Sequence, residues 1–212
     1  MNRSLIDWFA KNHPDVTLVM ASKYLEKKDF QAYIDHGIRD FGENRVESLC
    51  DKHAEIKPVH WHFIGTLQSK KVKKVIQYID VLHTLDRESL VFEIEKYRET
   101  VLPCMIQCNI SQEENKHGVD FSTIDGLLDT LKNTQKIKII GVMGMAEDTT
   151  DKSVIEHQFK TLKEFLNRVK TVFPSAYALS MGMSQDYQIA LSLGATHVRL
   201  GRILLEETDA PA

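Results

Sequence analysis

Eight short apolar runs alternate along the chain with stretches of helical periodicity, and this alternation constrains the fold more than any other feature. Apolar runs of strand length that are each followed by an amphipathic stretch indicate parallel β/α units. Runs such as VTLVMA and IKIIGVM are typical of a parallel sheet covered on both faces. The predicted strands are 16–21, 38–41, 60–64, 81–84, 102–110, 137–143, 176–179 and 196–200. The predicted helices between them are 28–36, 45–57, 69–78, 88–100, 121–133, 152–172 and 184–193.

Two architectures accommodate these units: a closed (β/α)8 barrel and an open, doubly wound sheet. An open sheet usually carries a turn such as G-x-G-x-x-G or G-x-x-x-x-G-K-[ST], and the sequence contains neither. The chain is short for a barrel, whose usual length is about 250 residues, but the alternation favours the barrel. No repeat, low-complexity segment or linker interrupts it. We therefore expect an α/β protein with one domain, residues 1–212, a (β/α)8 barrel of TIM type with an extra N-terminal helix.

The composition limits the classes of partner and compartment. The 212 residues include 27 Lys and Arg against 30 Asp and Glu, a formal net charge of -3, which does not favour binding to nucleic acid or anionic lipid. No run approaches the ~18 apolar residues of a membrane span, and the first residues lack the apolar core of a signal peptide. The 3 cysteines are an odd number and form no disulfide framework. We expect a cytoplasmic protein.

The turns after the seventh and eighth predicted strands are suited to a phosphate group, because phosphate sites of barrels are frequent there. Gly182 permits backbone conformations that are closed to other residues, and Ser184 stands at the expected start of a helix. Unpaired N–H groups at that start would attract a phosphate dianion, and Gly201 would let further N–H groups approach it. The alternative is that Ser184 only caps its helix.

A lysine directly behind the first predicted strand, Lys23, is a candidate nucleophile. An amine that is partly buried near other cations is neutral often enough to attack a carbonyl group. A Schiff-base lysine opposite a phosphate site would suit pyridoxal 5'-phosphate or a phosphorylated sugar. The alternative is a solvated lysine at a loop edge, which is how we interpret Lys27 and Lys28.

Arg199 lies inside the last predicted strand, between two apolar residues. An arginine that points into the mouth of a barrel needs an acceptor, and a pyridine nitrogen is one possibility. Arginine there would keep the nitrogen unprotonated and make such a cofactor a weaker electron sink than an aspartate partner would. An internal ion pair with a carboxylate such as Glu43 is the alternative, and both could hold together.

Six motifs occur in a fixed order along residues 18–202. They are LVMASK at 18–23, FGENR at 41–45, WHFIG at 61–65, LQS at 67–69, NIS at 109–111 and LSMGMS at 179–184. Together they resemble the YggS/PROSC family of pyridoxal 5'-phosphate homeostasis proteins. The fold of that family is similar to the N-terminal, fold-type III barrel of alanine racemase.

The resemblance implies a set of cofactor contacts. It implies that Lys23 forms a Schiff base with pyridoxal 5'-phosphate, that Arg199 faces the pyridine nitrogen, and that Ser184 and the Gly201 turn hold the phosphate. It places three more residues near the ring or along the pocket, namely Asn44, Ser180 and Met181. The family's final turn commonly reads R-I-G-T, whereas this chain has Arg202 in place of the hydroxyl residue. Arg202 either adds charge to the phosphate site or extends into solvent.

The resemblance also implies a function. Family members are described as binding the cofactor and influencing its supply, without a demonstrated catalytic activity. We therefore expect a monomeric carrier or regulator of pyridoxal 5'-phosphate, with PLP-requiring apo-enzymes as potential partners. The alternative is an amino-acid racemase or lyase, but racemisation needs bases on both faces of the substrate α-carbon. In alanine racemase the second base comes from a further domain, for which the chain leaves no room. A Schiff-base aldolase acting on phosphorylated sugars is more distant.

Two histidines, His60 and His62, share one face of a predicted strand. Zinc would need three or four ligands, and the sequence offers no convincing partners. We therefore expect hydrogen-bonded strand histidines and no metal site.

Overall fold

The structure is a computed structural model, and it describes residues 1–111 and 117–207. The strands are β1 Thr17–Ala21, β2 Asp40–Glu43, β3 His60–Phe63, β4 Val81–Leu85, β5 Leu102–Gln107, β6 Ile137–Met143, β7 Ala178–Ser180 and β8 His197–Leu200. The helices are α1 Arg3–Asn12, α2 Phe30–Asp35, α3 Val46–His53, α4 Val72–Val75, α5 Glu88–Tyr97, α6 Ile124–Leu131, α7 Lys152–Lys170 and α8 Tyr187–Ser192. Short 3-10 turns are Ser22–Tyr24, Lys27–Asp29, Ser69–Lys71, Ile76–Tyr78 and Arg202–Leu204.

All eight strands are parallel, and they close into a barrel in the order β1 to β8. The barrel closes where β8 pairs with β1, from Thr17 opposite His197 to Met20 opposite Leu200. The (β/α)8 barrel predicted from the alternation is confirmed, and so is the extra N-terminal helix, α1. The domain predicted over 1–212 includes residues 112–116 and 208–212, which lie outside the described residues.

The apolar periodicity of the sequence accounts for the packing around the barrel. In α7 the buried residues Ile155, Phe159, Leu162, Leu166 and Val169 recur at intervals of three or four, so they share one helix face and pack on the strands. The strands contribute buried residues to both sides of the sheet, as expected for a parallel barrel. No helix in the described part of the chain is long and apolar enough to cross a bilayer.

The helix predicted over 69–78 is broken into three short pieces. The guanidinium of Arg98 donates from Nη1 to the carbonyl oxygens of Ile76 and Ile79, which a continuing helix would use for its own hydrogen bonds. Four lysines at positions 70, 71, 73 and 74 also repel one another at helical spacing. Local periodicity therefore identified the element but not its interruption.

Candidate functional site

A cavity of about 310 Å3 opens at the C-terminal ends of the strands, and we call it the C-terminal cavity. Its walls come from the segments that follow β1, β6 and β7, from β8 and from the turn after it. The size is that of a small-molecule site. It brings together five of the eight residues predicted for cofactor binding: Lys23, Ser184, Arg199, Gly201 and Arg202.

Three predicted residues lie outside this lining, namely Asn44, Ser180 and Met181. Asn44 follows β2, is exposed, and its backbone lies against Gly65, where an added Cβ would stand 2.3 Å from the Asn44 carbonyl oxygen. Ser180 and Met181 are fully buried at the end of β7. Ser180 nevertheless touches the site through another side chain, because it accepts a hydrogen bond from Arg199.

Lys23 stands in the 3-10 turn that follows β1 directly, and its side chain is exposed at the cavity. Its Nζ lies 4.7 Å from the ring centroid of Tyr24. A hydrogen bond with Lys23 lowers the pKa of the Tyr24 hydroxyl, and the positive charges of Lys23 and Arg202 act in the same direction. The amine, the phenol and a second cation therefore share one side of the cavity.

Arg199 lies on β8, is 5% exposed and still lines the cavity. Its Nη1 donates to Ser180 Oγ at 2.5 Å, and its Nη2 donates to the carbonyl oxygen of Gly144 at 3.1 Å. Burial lowers the pKa of Arg199 to about 10, partly offset by the charge of Asp186, so the group is protonated at neutral pH. A guanidinium carries five N–H donors. Within the described residues Arg199 forms two hydrogen bonds, one to the Ser180 hydroxyl and one to the Gly144 carbonyl, so its other N–H groups remain for a ligand.

Glu43, considered as an ion-pair partner of Arg199, is engaged elsewhere. Its Oε1 accepts from Lys52 Nζ at 2.5 Å and from Ser22 Oγ at 2.7 Å, and Lys52 also donates to the Ser22 carbonyl. The alternative of an internal Arg199–Glu43 ion pair is not observed among the described residues. Lys52 neutralises the buried charge of Glu43 on β2. The charge of Arg199 is therefore not used by Glu43, and its guanidinium faces the C-terminal cavity.

Ser184 does not cap a helix, which corrects the sequence-based expectation. The N–H of Met183 donates to Asp186 Oδ1 at 2.5 Å, and this bond closes a tight turn, so that α8 starts at Tyr187 with Asp186 at the N-cap. Gly182 enters the turn with φ +94, where a side chain would be strained. Within the described residues, the N–H groups of Ser184 and Gln185 and the Ser184 hydroxyl make no hydrogen bond, so the turn offers three donors to an anion.

Several polar residues that line the C-terminal cavity were not among the eight residues predicted for cofactor binding. Tyr24, Glu147, Asp148 and Asp186 all contribute to it. The pKa of Asp186 is raised by burial, which outweighs the hydrogen bond from Met183 and the charge of Arg199. Glu147 and Asp148 lie in the segment that follows β6. Functional residues of barrels collect after the C-terminal ends of the strands, so the same criterion extended past residue 145 predicts both carboxylates.

No group of three or more His, Cys, Asp or Glu in residues 1–111 and 117–207 could hold a metal ion. His60 and His62 instead bond to one carboxylate. Asp40 Oδ1 lies 3.2 Å from His60 Nδ1 and 2.9 Å from His62 Nε2. The prediction of hydrogen-bonded strand histidines is confirmed.

Comparison with known proteins places the chain in a family. Residues 29–208 match the family model described as alanine racemase, N-terminal domain. A pyridoxal phosphate homeostasis protein of Aquifex aeolicus (strain VF5) is 32% identical over an alignment of 196 residues that covers 90% of this chain and 86% of that protein. The chain belongs to the pyridoxal phosphate homeostasis protein family. This confirms the resemblance to the YggS/PROSC family.

Other members of the family agree in sequence and in structure. The homologue of Helicobacter pylori (strain J99 / ATCC 700824), also named pyridoxal phosphate homeostasis protein, is 34% identical over 205 residues, covering 92% of this chain and 89% of its own. The structure of PipY from Synechococcus elongatus PCC7942 with PLP bound superposes with a TM-score of 0.87 at 26% identity, covering 96% of this chain and 98% of PipY. The family resemblance therefore extends over the whole barrel.

Proposed function

We propose that this protein binds pyridoxal 5'-phosphate in the C-terminal cavity and acts as a carrier or regulator of the free cofactor. Arg199 carries this proposal, because it is a buried cation with unused N–H donors that lines the same cavity as Lys23. The N–H groups that Arg199 does not use within the described residues are free to donate to a ligand that carries an acceptor. The PLP-bound PipY and the names of the relatives support the same ligand.

Different residues would bind different groups of the cofactor. When bound, pyridoxal 5'-phosphate supplies an aldehyde, a ring nitrogen and a phosphate dianion. Lys23 supplies the amine for covalent attachment, from a turn that β1 positions. Arg199 donates to the ring nitrogen and keeps it unprotonated, which weakens electron withdrawal by the ring. A carrier requires that the cofactor is bound tightly and is only weakly activated for catalysis.

The phosphate end rests on the turns after β7 and β8. Ser184 contributes its hydroxyl and N–H, Gly201 gives the backbone room to approach, and Arg202 adds a positive charge. The remaining proposed contacts are Asn44, which would lie near the ring, and Ser180 and Met181, which would line the pocket. The proposed cofactor-binding domain is the whole chain, 1–212.

We further propose that the protein works in the cytoplasm as a monomer and passes the cofactor to PLP-requiring apo-enzymes. The three cysteines are free, which suits a reducing compartment. Burial raises the pKa of both Cys104 and Cys108, so these thiols stay protonated and unreactive. Light scattering behind size-exclusion chromatography tests the monomer directly.

The visible absorption spectrum tests the central proposal. We expect wild-type protein saturated with pyridoxal 5'-phosphate to show a visible band that Lys23→Ala lacks. Lys28→Ala is the matched control, because Lys28 is an exposed neighbour paired only with Glu26 at the surface among the described residues. Borohydride reduction followed by peptide mass spectrometry should place the added cofactor mass on Lys23. The absence of a band in saturated wild type would contradict the proposal.

A second measurement separates the carrier from an enzyme. The domain match to alanine racemase makes racemisation of an amino acid the alternative. We expect loaded protein mixed with L-alanine to leave the optical rotation steady, and to activate an added PLP-requiring apo-enzyme. Racemisation at the rate of a dedicated enzyme would favour the alternative.

A further inference from the structure

A line of buried polar side chains crosses the interior of the barrel beneath Arg199. Arg199 Nη1 bonds Ser180 Oγ at 2.5 Å, and Ser180 Oγ bonds His83 Nδ1 at 2.9 Å. His83 Nε2 then bonds His62 Nδ1 at 2.8 Å, and His62 Nε2 bonds Asp40 Oδ1 at 2.9 Å. These five residues come from β8, β7, β4, β3 and β2, and we call them the axial relay.

The axial relay joins the two ends of the barrel. Arg199 lines the C-terminal cavity, whereas Asp40 is the first residue of β2. Asp40 and His62 line a second cavity, of about 390 Å3, at the N-terminal ends of the strands, which we call the N-terminal cavity. His83 and Ser180 between them are fully buried. The cofactor proposal uses Arg199 and Ser180, so Asp40, His62 and His83 need their own explanation.

The two end groups set the direction of every hydrogen bond between them. A guanidinium can only donate, and an ionised carboxylate can only accept. Arg199 therefore donates to Ser180, Ser180 donates to His83 Nδ1, His83 Nε2–H donates to His62 Nδ1, and His62 Nε2–H donates to Asp40. In this order every atom is satisfied with both histidines neutral. Reversing it would leave the Ser180 hydroxyl proton without an acceptor among the described residues, which is costly in a buried position.

The charge environment favours the same order. Burial alone would raise the pKa of Asp40, but the hydrogen bonds from His62 and His60 help to outweigh it, so the pKa is lowered and the carboxylate is ionised at neutral pH. Burial, with a smaller contribution from the charge of Arg199, lowers the pKa of His83 well below its usual value, which keeps that ring neutral. The other titratable groups that line the N-terminal cavity are Asp80, Lys138, Tyr177 and His197.

We propose that Asp40, His62, His83 and Ser180 are positioning residues that fix the guanidinium of Arg199 and link its orientation to the opposite end of the barrel. Its consequence for pyridoxal 5'-phosphate rests on the function proposed above. A guanidinium anchored from below keeps its remaining donors at the cavity without reorganising when a ligand arrives. Without the acceptor at Asp40, the hydrogen bonds of the axial relay can reverse their direction. The guanidinium of Arg199 is then no longer held in one orientation.

Nitrogen NMR of the cofactor-free protein tests the relay without any ligand. We expect long-range 1H–15N spectra of the wild type at neutral pH to show His62 and His83 both neutral with the proton on Nε2. A proton on His83 Nδ1, or a doubly protonated ring, would overturn the proposal. This measurement needs no variant, so it does not depend on whether a substituted protein folds.

Substitutions at the far end test the link to Arg199. We expect Asp40→Leu to speed rotation of the Arg199 guanidinium by about 2- to 10-fold, the range set by one lost hydrogen bond. Asp40→Asn retains an oxygen acceptor for His62 and should restore the wild-type rate, which a purely electrostatic role would not allow. His60→Gln is the matched control, because His60 bonds the same carboxylate but lies outside the relay.

The same variants separate failure of the relay from failure of the proposed function. We expect Asp40→Leu to weaken pyridoxal 5'-phosphate binding by about 2- to 10-fold, with Asp40→Asn and His60→Gln close to wild type. Unchanged Arg199 rotation in Asp40→Leu, or an equal change in His60→Gln, would refute the relay. If the wild type binds no pyridoxal 5'-phosphate, the proposed function fails, while the tautomer and rotation measurements still decide the relay.

Discussion

The two ends of the barrel carry cavities of similar volume whose polar side chains differ in their hydrogen bonding. The C-terminal cavity, about 310 Å3, is lined by the cations Lys23 and Arg199 and by N–H donors that have no partner in the described residues. The N-terminal cavity, about 390 Å3, is lined by Asp40, His60 and His62, which bond to one another. Volume therefore does not distinguish the two. Donors without a protein partner in the described residues distinguish the C-terminal cavity, the proposed binding site, whereas the polar side chains named at the other end bond to one another.

The largest expected effect comes from crowding the C-terminal end. A Cβ at Gly65 would stand 2.3 Å from the backbone oxygen of Asn44, so Gly65→Ala must force β2 and β3 apart. We expect the free energy of unfolding to fall by about 4 kcal/mol, measured by urea denaturation. Gly126→Ala is the control, since nothing lies within 4 Å of that Cβ in α6. It should be neutral or stabilising by up to about 1 kcal/mol. Equal loss in both variants would refute the steric explanation.

Acid should act on the N-terminal end. Burial lowers the pKa of His197 to about 4, against about 6.5 in an unfolded chain. The folded protein then binds fewer protons, so this contribution is complete above about pH 6.5 and is lost as the pH falls towards 4. The loss should be on the order of 3 kcal/mol.

Chemical denaturation across that pH range, with His197→Gln beside the wild type, measures this effect. The substitution removes the titrating group, so the stability of the variant should depend less steeply on pH. His157→Gln, on the exposed face of α7, should retain the wild-type slope. A wild-type slope in His197→Gln would assign the acid sensitivity to another group.

The buried cation at the C-terminal end should matter more for affinity than any other donor. Arg199→Leu removes charged hydrogen bonds to a ligand, so we expect pyridoxal 5'-phosphate to bind about 10- to 100-fold more weakly by absorption titration. Arg168→Leu, which breaks only an exposed pair with Asp125, should bind as the wild type does. Retained affinity in Arg199→Leu would show that the cavity holds the cofactor without this guanidinium.

The smallest effect is expected at the rim. Arg202 is exposed, so solvent and salt screen its charge, and Arg202→Thr should weaken binding by no more than about 5-fold at low salt. The difference from the wild type should shrink as ionic strength rises. A larger loss that persists at high salt would mean that Arg202 contacts the phosphate directly in a desolvated geometry.

The sequence predicted the barrel because eight parallel strands leave a strong local signal. Each is a short apolar run, and the absence of a dinucleotide or nucleotide motif favoured closure. Elements whose ends depend on distant groups were predicted less well. The helix start near Ser184 shifted because Asp186 closes a turn, and the helix over 69–78 was interrupted because Arg98 binds its carbonyls.

The site was predicted in part for the same reason. Lys23 and Arg199 stand at or near strand ends, which the sequence reveals, and both line the C-terminal cavity. The axial relay was not foreseen, because its members meet only through strand register. His62, His83 and Ser180 are separated by many residues, and a single sequence gives no sign that they face one another. Polar residues at inward-facing positions of several strands were the available signal.

The turn that carries the rim of the C-terminal cavity also fastens the start of the chain. The Met1 ammonium donates to the Leu205 carbonyl at 3.0 Å, and the N–H of Asn2 donates to the Leu204 carbonyl at 2.9 Å. Gly201 and Arg202 begin this same short segment. Local unfolding of the N-terminal helix therefore breaks the hydrogen bonds that hold the segment beginning at Gly201. We expect the helix and this segment to unfold together as one cooperative unit. A loaded cavity would in turn slow amide exchange in the first helix, at a distance from the bound group.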